Sequence, residues 1–238
     1  MVVALVYSAA FTPVNKKLKY SGIKDFSDYI QKVVMDVHFG NSLIDFTSIS
    51  YFAPQLEGNE LRVKATKGHY YGTVDDFTVT DMTVEMEGGG FSGVVTGRLA
   101  GIPDVMETTI DGELKDCMVT TKGLSTFVTY WMKGGKLDLS KLAKNENFHI
   151  NGKVTGTLNK MNIQSLIASR IGTATAEGIC IDNILDSEKP ISISGTIKTK
   201  DLDLGKIIET DLIGKTTLTL DAEAAFGGEE SPIAANIH

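Results

Sequence analysis

Apolar and polar residues alternate with a period of two along most of the chain. Leu61, Val63 and Ala65 alternate with Arg62, Lys64 and Thr66, and Met82, Val84 and Met86 alternate with Thr83 and Glu85. Such alternation marks strands with one buried face. Phe77 and Val79 carry the apolar phase on odd positions, whereas Met82, Val84 and Met86 carry it on even ones. The slip falls at Thr80-Asp81 and predicts a β-bulge there. Ile191, Ile193 and Ile197 alternate around Gly195, and Leu218, Leu220, Ala222, Ala224 and Phe226 continue the pattern. Threonine fills many outward positions, as suits a solvated sheet face. Helical spacing is rare. Phe26, Tyr29, Ile30 and Val33 share one helical face, which predicts a helix over 24–34 capped by Ser27 or Asp25. Segments 124–132 and 137–142 are ambiguous, and the apolar opening, 1–11, reads as a strand.

A glycine-punctuated segment occurs twice, about 84 residues apart. Gly68-His69-Tyr70-Tyr71-Gly72-Thr73 is matched by Gly152-Lys153-Val154-Thr155-Gly156-Thr157. Each is followed by an apolar residue, an Asp or Asn, and apolar residues at three further matching places. Segment 162–171 has helix-compatible spacing, but its repeat partner near Thr78 reads as strand, so it too is expected to be a strand. Gly101-Ile102-Pro103-Asp104 and Asn183-Ile184-Leu185-Asp186 correspond further on, and Leu137-Asp138-Leu139 corresponds to Leu202-Asp203-Leu204. The unit is therefore several meandering strands closed by a short turn or helix. It divides the chain into an opening part, 1–60, and two β-repeat units, 61–144 and 145–238, within one continuous elongated domain. Turns are expected at Gly40-Asn41, Glu57-Gly58-Asn59, Gly88-Gly89-Gly90, Gly134-Gly135, Asn151-Gly152 and Gly227-Gly228. The fold class is all-β with one or two short helices.

Composition narrows the function. The net charge of −7 argues against nucleic-acid binding, which needs a basic face. The 24 glycines against 5 prolines suggest many tight turns or bulges. Cys117 and Cys180 fit neither a disulfide framework nor a metal motif, although one disulfide is conceivable in an oxidising compartment. No apolar run reaches the ~18 residues of a membrane-spanning helix. The start lacks the basic region of a signal peptide. Both ends look cut, as in a piece of a longer protein.

No catalytic constellation emerges. His38, His69, His149 and His238 are scattered without metal-ligand spacing and read as strand-surface residues. Gly88-Gly89-Gly90 lacks the Gly-Lys-Ser/Thr of a phosphate loop, and Ser92 lacks a nucleophile elbow. Asp75, Asp76 and Asp81 read as solvated carboxylates. The expectation is no enzyme, no cofactor and no metal. What remains is the apolar sheet face. Periodicity alone favours a sandwich whose two faces cover each other over an open groove.

The chain resembles the TamB and AsmA-like group of bacterial envelope proteins, especially those of Bacteroidetes type. The resemblance is carried by four stretches. The first is Ile44-Asp45-Phe46-Thr47-Ser48-Ile49-Ser50-Tyr51-Phe52-Ala53-Pro54-Gln55-Leu56, similar to a strand leading to Phe-x-Pro-x-Leu. The others are Gly68 to Val79, Gly93 to Asp104 with Thr108 to Leu114, and more loosely Phe148 to Leu204, where Leu185 replaces an expected Pro. Together they span roughly residues 20 to 210. The resemblance implies an elongated, curved β-sheet with an apolar concave face, often called a β-taco. It implies an internal portion of a long periplasmic protein of the Gram-negative envelope, anchored in the inner membrane by parts absent here. It also implies a role in translocation and assembly: conduction of phospholipid acyl chains to the outer membrane. Val63, Val84, Val95, Ile110, Val154, Ile193 and Ile197 would then line the lipid groove, and Gly68, Gly72, Gly152 and Gly156 would be structural. Alternatives are an assembly factor that guides outer-membrane barrel strands beside a BamA-family partner through its sheet edges, or a purely structural β-repeat domain.

Overall fold

The computed structural model describes residues 13–49, 60–104, 106–131, 146–186, 188–208, 211–226 and 233–237. The strands form one open, curved antiparallel sheet. It begins with β1 (Pro13–Lys19), β2 (Val34–Phe39) and β4 (Arg62–Gly72), with the short β3 (Ser42–Asp45) also paired to β4. From β4 it runs as a meander through β5 (Asp76–Met86), β6 (Phe91–Ala100), β7 (Thr109–Thr120), β8 (Asn147–Thr157), β9 (Lys160–Ser169), β10 (Gly172–Asp182) and β11 (Ile191–Lys200). It ends with β14 (Thr219–Phe226) and β15 (Ile233–Ile237). The strands β12 (Leu202–Asp203) and β13 (Lys215–Thr216) make a separate two-stranded ribbon. The sandwich favoured by periodicity is not what forms. Among the described residues no second large sheet covers the first.

The helices are short and sit in connections between strands. They are α1 (Tyr29–Lys32), preceded by a 3-10 turn over Ile23–Asp28, α2 (Phe46–Ile49), α3 (Thr121–Trp131) and α4 (Leu204–Ile208). The continuous helix expected over 24–34 is therefore a 3-10 turn and a single α-turn. The Asp25 carboxylate accepts the backbone N–H groups of Ser21 and Gly22, at 2.6 and 3.2 Å, and tightens the entry. The helical spacing still serves its purpose: Tyr29 and Val33 are buried with Met35 against Leu18, Val37, Tyr70 and Val74. The strand expected through Ile44 to Leu56 ends at Asp45, where α2 begins, and residues 50–56 lie outside the described residues.

The repeat is visible in the connectivity. β4–β7 followed by α3 correspond to β8–β11 followed by α4, and the sheet passes without interruption from β7 to β8. Gly72 and Gly156 close the first strand of each unit with φ of +138° and +120°, a region that essentially only glycine occupies. The next residue completes the same turn in both copies. Thr73 Oγ1 accepts Asp76 N–H at 3.0 Å, and Thr157 Oγ1 accepts Lys160 N–H at 3.0 Å. Segment 162–171, ambiguous by spacing, lies mostly in strand β9.

Two expectations about glycine need correction. Asn151-Gly152 is no turn; it lies in the middle of β8, and Gly68 likewise lies inside β4. Gly88, Gly89 and Gly90 do form the β5–β6 turn, with φ of +83°, +79° and +103°. Many other glycines sit inside strands rather than between them, because the strands crowd one another there. A Cβ on Gly97 would lie 2.8 Å from the Asp111 carbonyl oxygen. The turns expected at Glu57-Gly58-Asn59, Gly134-Gly135 and Gly227-Gly228, the strand at 1–11 and the segment 137–142 fall outside the described residues.

The bulge expected at Thr80-Asp81 is present. The β5–β6 register shifts between Val79 and Met82, and Asp81 adopts φ +47°. A second bulge in β7 places Asp116 at φ +49°, and β10 shifts between Glu177 and Cys180. Each of the two Asp bulges is locked by a neighbouring side chain. Asp81 N–H donates to Thr96 Oγ1 at 3.0 Å, and Asp116 N–H donates to Asn151 Oδ1 at 2.9 Å. The bulges restore the apolar phase, so that both halves of a strand present their apolar residues to one side.

Candidate functional site

Residues directly opposite in an antiparallel pair point to the same side, so the register traces one face across the whole sheet. Ala65 faces Val84, Met82 faces Val95, and Val95 faces Leu114. Gly112 then faces Val154, Val154 faces Ile163, and Ile163 faces Ile179. Ile181 faces Ile193, and Ile193 faces Ala224. All seven residues expected from the resemblance, Val63, Val84, Val95, Ile110, Val154, Ile193 and Ile197, lie on this face. Gly68, Gly72, Gly152 and Gly156 lie on it too. The spacing of four within each pair keeps both glycines on one side of the sheet. A Cβ at Gly68 would lie 2.7 Å from the Met82 Cα, which shows how closely neighbouring strands approach on this side.

The apolar face is covered unevenly. Near β2–β7 it is packed: Ala65, Met82, Val84 and Met86 are buried, with Phe39, Ile44, Val63, Val79, Phe91 and Val95 against the Ala65 cluster. From β8 onward the described strands contain no fully buried apolar side chain; Phe148, Ile150, Val154, Ile163, Ile167, Ile181, Ile193 and Ile197 are all half-buried. Ile171, in the β9–β10 turn, is buried instead. Among the described residues no layer covers the apolar side of β8–β14.

The opposite face is mostly polar, with Tyr71, Met118 and Leu166 as exposed apolar exceptions, and is laced with ion pairs across neighbouring strands. The Arg98 guanidinium grips Asp76 with two hydrogen bonds, one of 2.7 Å from Nε, and holds the Asp76 carboxyl below its ordinary pKa. Lys160 Nζ lies 2.8 Å from Asp182 and likewise lowers the Asp182 carboxyl, while Lys198 Nζ lies 2.7 Å from Glu177. Exposed pairs of this kind contribute little stability individually. They keep this side of the sheet in water and so fix which side is apolar. Asp76 is thus an ion-pair partner rather than a free carboxylate, and Asp81 serves its bulge.

The cysteines are free and point to opposite faces. Cys117 is fully buried opposite Ile150, and its thiol pKa is raised by burial; Cys180 pairs with Ser194 on the polar side. Their placement excludes the intramolecular disulfide.

The histidines are less scattered than they look in the sequence. His38 and His69 face each other across the β2–β4 pair, their rings stacked at 4.2 Å and 8°. His69 Nε2 lies 2.8 Å from Asp36 Oδ1, and this hydrogen bond lowers the Asp36 pKa. A separation of 31 residues hides this pair from any local motif, although the outward phase of both strands placed each histidine on the polar side. His149 stands apart, on the same polar side of β8.

No protein-family model, curated protein or solved structure matches the chain.

Proposed function

We propose that this chain is part of an envelope protein of the TamB and AsmA-like kind, and that the apolar face of its sheet shelters phospholipid acyl chains moving between the inner and outer membranes. The observation that carries the reading is the row of half-buried aliphatic side chains from β8 to β14, over which no layer lies among the described residues, on a sheet whose other side is mostly polar. Exposed apolar surface is costly in water and marks an interaction site. The five strands from β8 to β14, at a spacing of about 4.8 Å, give a track about 19 Å along the curve, against about 15 Å for the hydrocarbon of one bilayer leaflet. The track is therefore long enough to hold whole acyl chains lying across several strands. Each methylene moved from water onto it contributes about 0.8 kcal/mol. Headgroups would stay in water, and no residue on the track performs chemistry. The periplasm is the compartment where such a track has work to do.

The test is photocrosslinking in cells from the parent protein. A photoreactive residue replaces Val154 or Ile193 on the apolar side, with Ser194, exposed on the polar side, as control. Covalent phospholipid at the first two and none at Ser194 is expected. Crosslinks confined to neighbouring protein would end the lipid reading, and crosslinks to a BamA-family barrel protein would favour the assembly role.

A further inference from the structure

We propose that Asp36, His38 and His69 form a binding site for one divalent first-row transition-metal ion, of the zinc, cobalt or nickel class, on the polar face of the β2–β4 pair. The site does not depend on what the apolar face carries. Asp36 and His38 are two residues apart on β2 and so project to the same side, and His69 lies directly opposite His38 on β4. The backbone supplies this Asp-x-His plus His set without any loop. Its other side is anchored by the buried Met35 and by Val37 packed beside Tyr70, so the two strands hold a fixed register beneath the ligands.

The donor atoms of the three side chains all lie within 4.8 Å of one another. His69 Nε2 is 2.8 Å and His38 Nε2 is 3.9 Å from the same oxygen, Asp36 Oδ1. Neighbouring ligands around a tetrahedral zinc ion, with bonds of about 2.0–2.1 Å, lie about 3.3 Å apart. The two distances bracket that value, and small rotations of surface side chains bring both to it. The rings are now parallel, so a metal lying in both ring planes requires one imidazole to turn. His38 is free to do so, with 56% of its side chain exposed.

The chemistry of the donors selects the ion. Two imidazoles and one carboxylate suit zinc, cobalt, nickel and copper. Calcium and magnesium need about six oxygen ligands and would find one carboxylate. Asp36 can make a hydrogen bond to His69 but is too far for one to His38. A cation among the three donors satisfies all of them, and the solvent-facing side leaves room for water as the remaining ligand. Lys19, on β1, is close enough to act on the Asp36 charge and lies with its Nζ 5.1 Å from the Tyr71 ring centre; it opposes a cation here without blocking the donors.

The experiment is titration of untagged protein with zinc chloride by calorimetry, with cobalt(II) absorption as a second readout. One saturable equivalent is expected, together with the visible bands of low-coordinate cobalt. Asp36→Asn, His38→Gln and His69→Gln should each weaken binding at least tenfold, and His149→Gln should leave it unchanged. Circular dichroism checks that each variant is folded, and His38→Gln, at the most exposed position, carries the test if another variant is not. Absence of saturable zinc binding overturns the proposal. So does undiminished binding in folded His38→Gln and His69→Gln, or calcium binding as tight as zinc.

Discussion

Replacing Gly156 by alanine should destabilise the protein by about 2–3 kcal/mol, and the same change at Gly72 should cost about the same, because the two residues close equivalent turns. A Cβ at Gly156 would lie 2.3 Å from the Lys160 carbonyl oxygen, and one at Gly72 would lie 2.3 Å from that of Asp76. Both neighbours are backbone, so the clash is relieved only by opening the turn. Opening it loses the threonine hydrogen bond, worth about 0.5–1.5 kcal/mol. A side chain forced to stay at φ near +120° or +138° carries about 1–3 kcal/mol of strain. Reduced freedom of the unfolded chain returns about 0.4–1 kcal/mol. Gly178 is the internal control: it has φ +60°, a left-handed conformation that asparagine tolerates, and a Cβ there would meet no atom within 4 Å. Gly178→Asn should change stability by less than about 1 kcal/mol. Urea unfolding followed by circular dichroism measures all three, with a midpoint loss of roughly 1 M expected for the two alanine variants at an m-value of about 2–3 kcal/mol/M. If Gly156→Ala is no worse than Gly178→Asn, or if Gly72→Ala and Gly156→Ala differ by more than about 1.5 kcal/mol, the repeated-turn reasoning fails.

Three further predictions are independent of the first. Because Lys160 depresses the folded-state pKa of Asp182, the pair's contribution is fully present above the ordinary aspartate range and is lost as pH falls through the depressed value. Carboxyl titration by NMR should show Asp182 returning toward its ordinary value in Lys160→Met; an unchanged titration would remove Lys160 as the cause. Buried Cys117 should resist a thiol reagent until the protein unfolds, whereas half-buried Cys180 should react in the native state, and simultaneous labelling of both would contradict the burial. On the proposed lipid reading, Ile193→Asp should reduce recovery of co-purified phospholipid about tenfold or more, because it sets a charged carboxylate in place of an aliphatic side chain on the acyl-chain track. Ser194→Asp, on the exposed polar side, should leave lipid recovery unchanged, and equal losses in the two variants would refute the assignment of faces.

Much of this protein is legible from alternation alone. The strand containing Val63 and Ala65, the strand pair around Gly195, and the bulge at Asp81 follow from a period of two and its single slip, because side-chain direction in a strand is a local property of the backbone. The Gly-x-x-x-Gly-Thr repeat also declared itself locally, since a turn at positive φ demands glycine and the next threonine caps it. Local pattern misjudged Asn151-Gly152, where glycine answers to a neighbouring strand rather than to a turn. It also misjudged 24–34, which folds as a 3-10 turn followed by one α-turn rather than as one continuous helix. Whether the apolar faces would cover each other was a tertiary matter: alternation is identical in a closed sandwich and in an open sheet, and only the pairing order from β1 to β15 separates them. The meeting of His38 with His69 was equally invisible, because it depends on the register of two strands with β3 and α2 between them in sequence. Sequence decides which way each side chain points, since that is set within a few bonds. Tertiary structure decides what it meets, since that depends on which distant strand lies alongside.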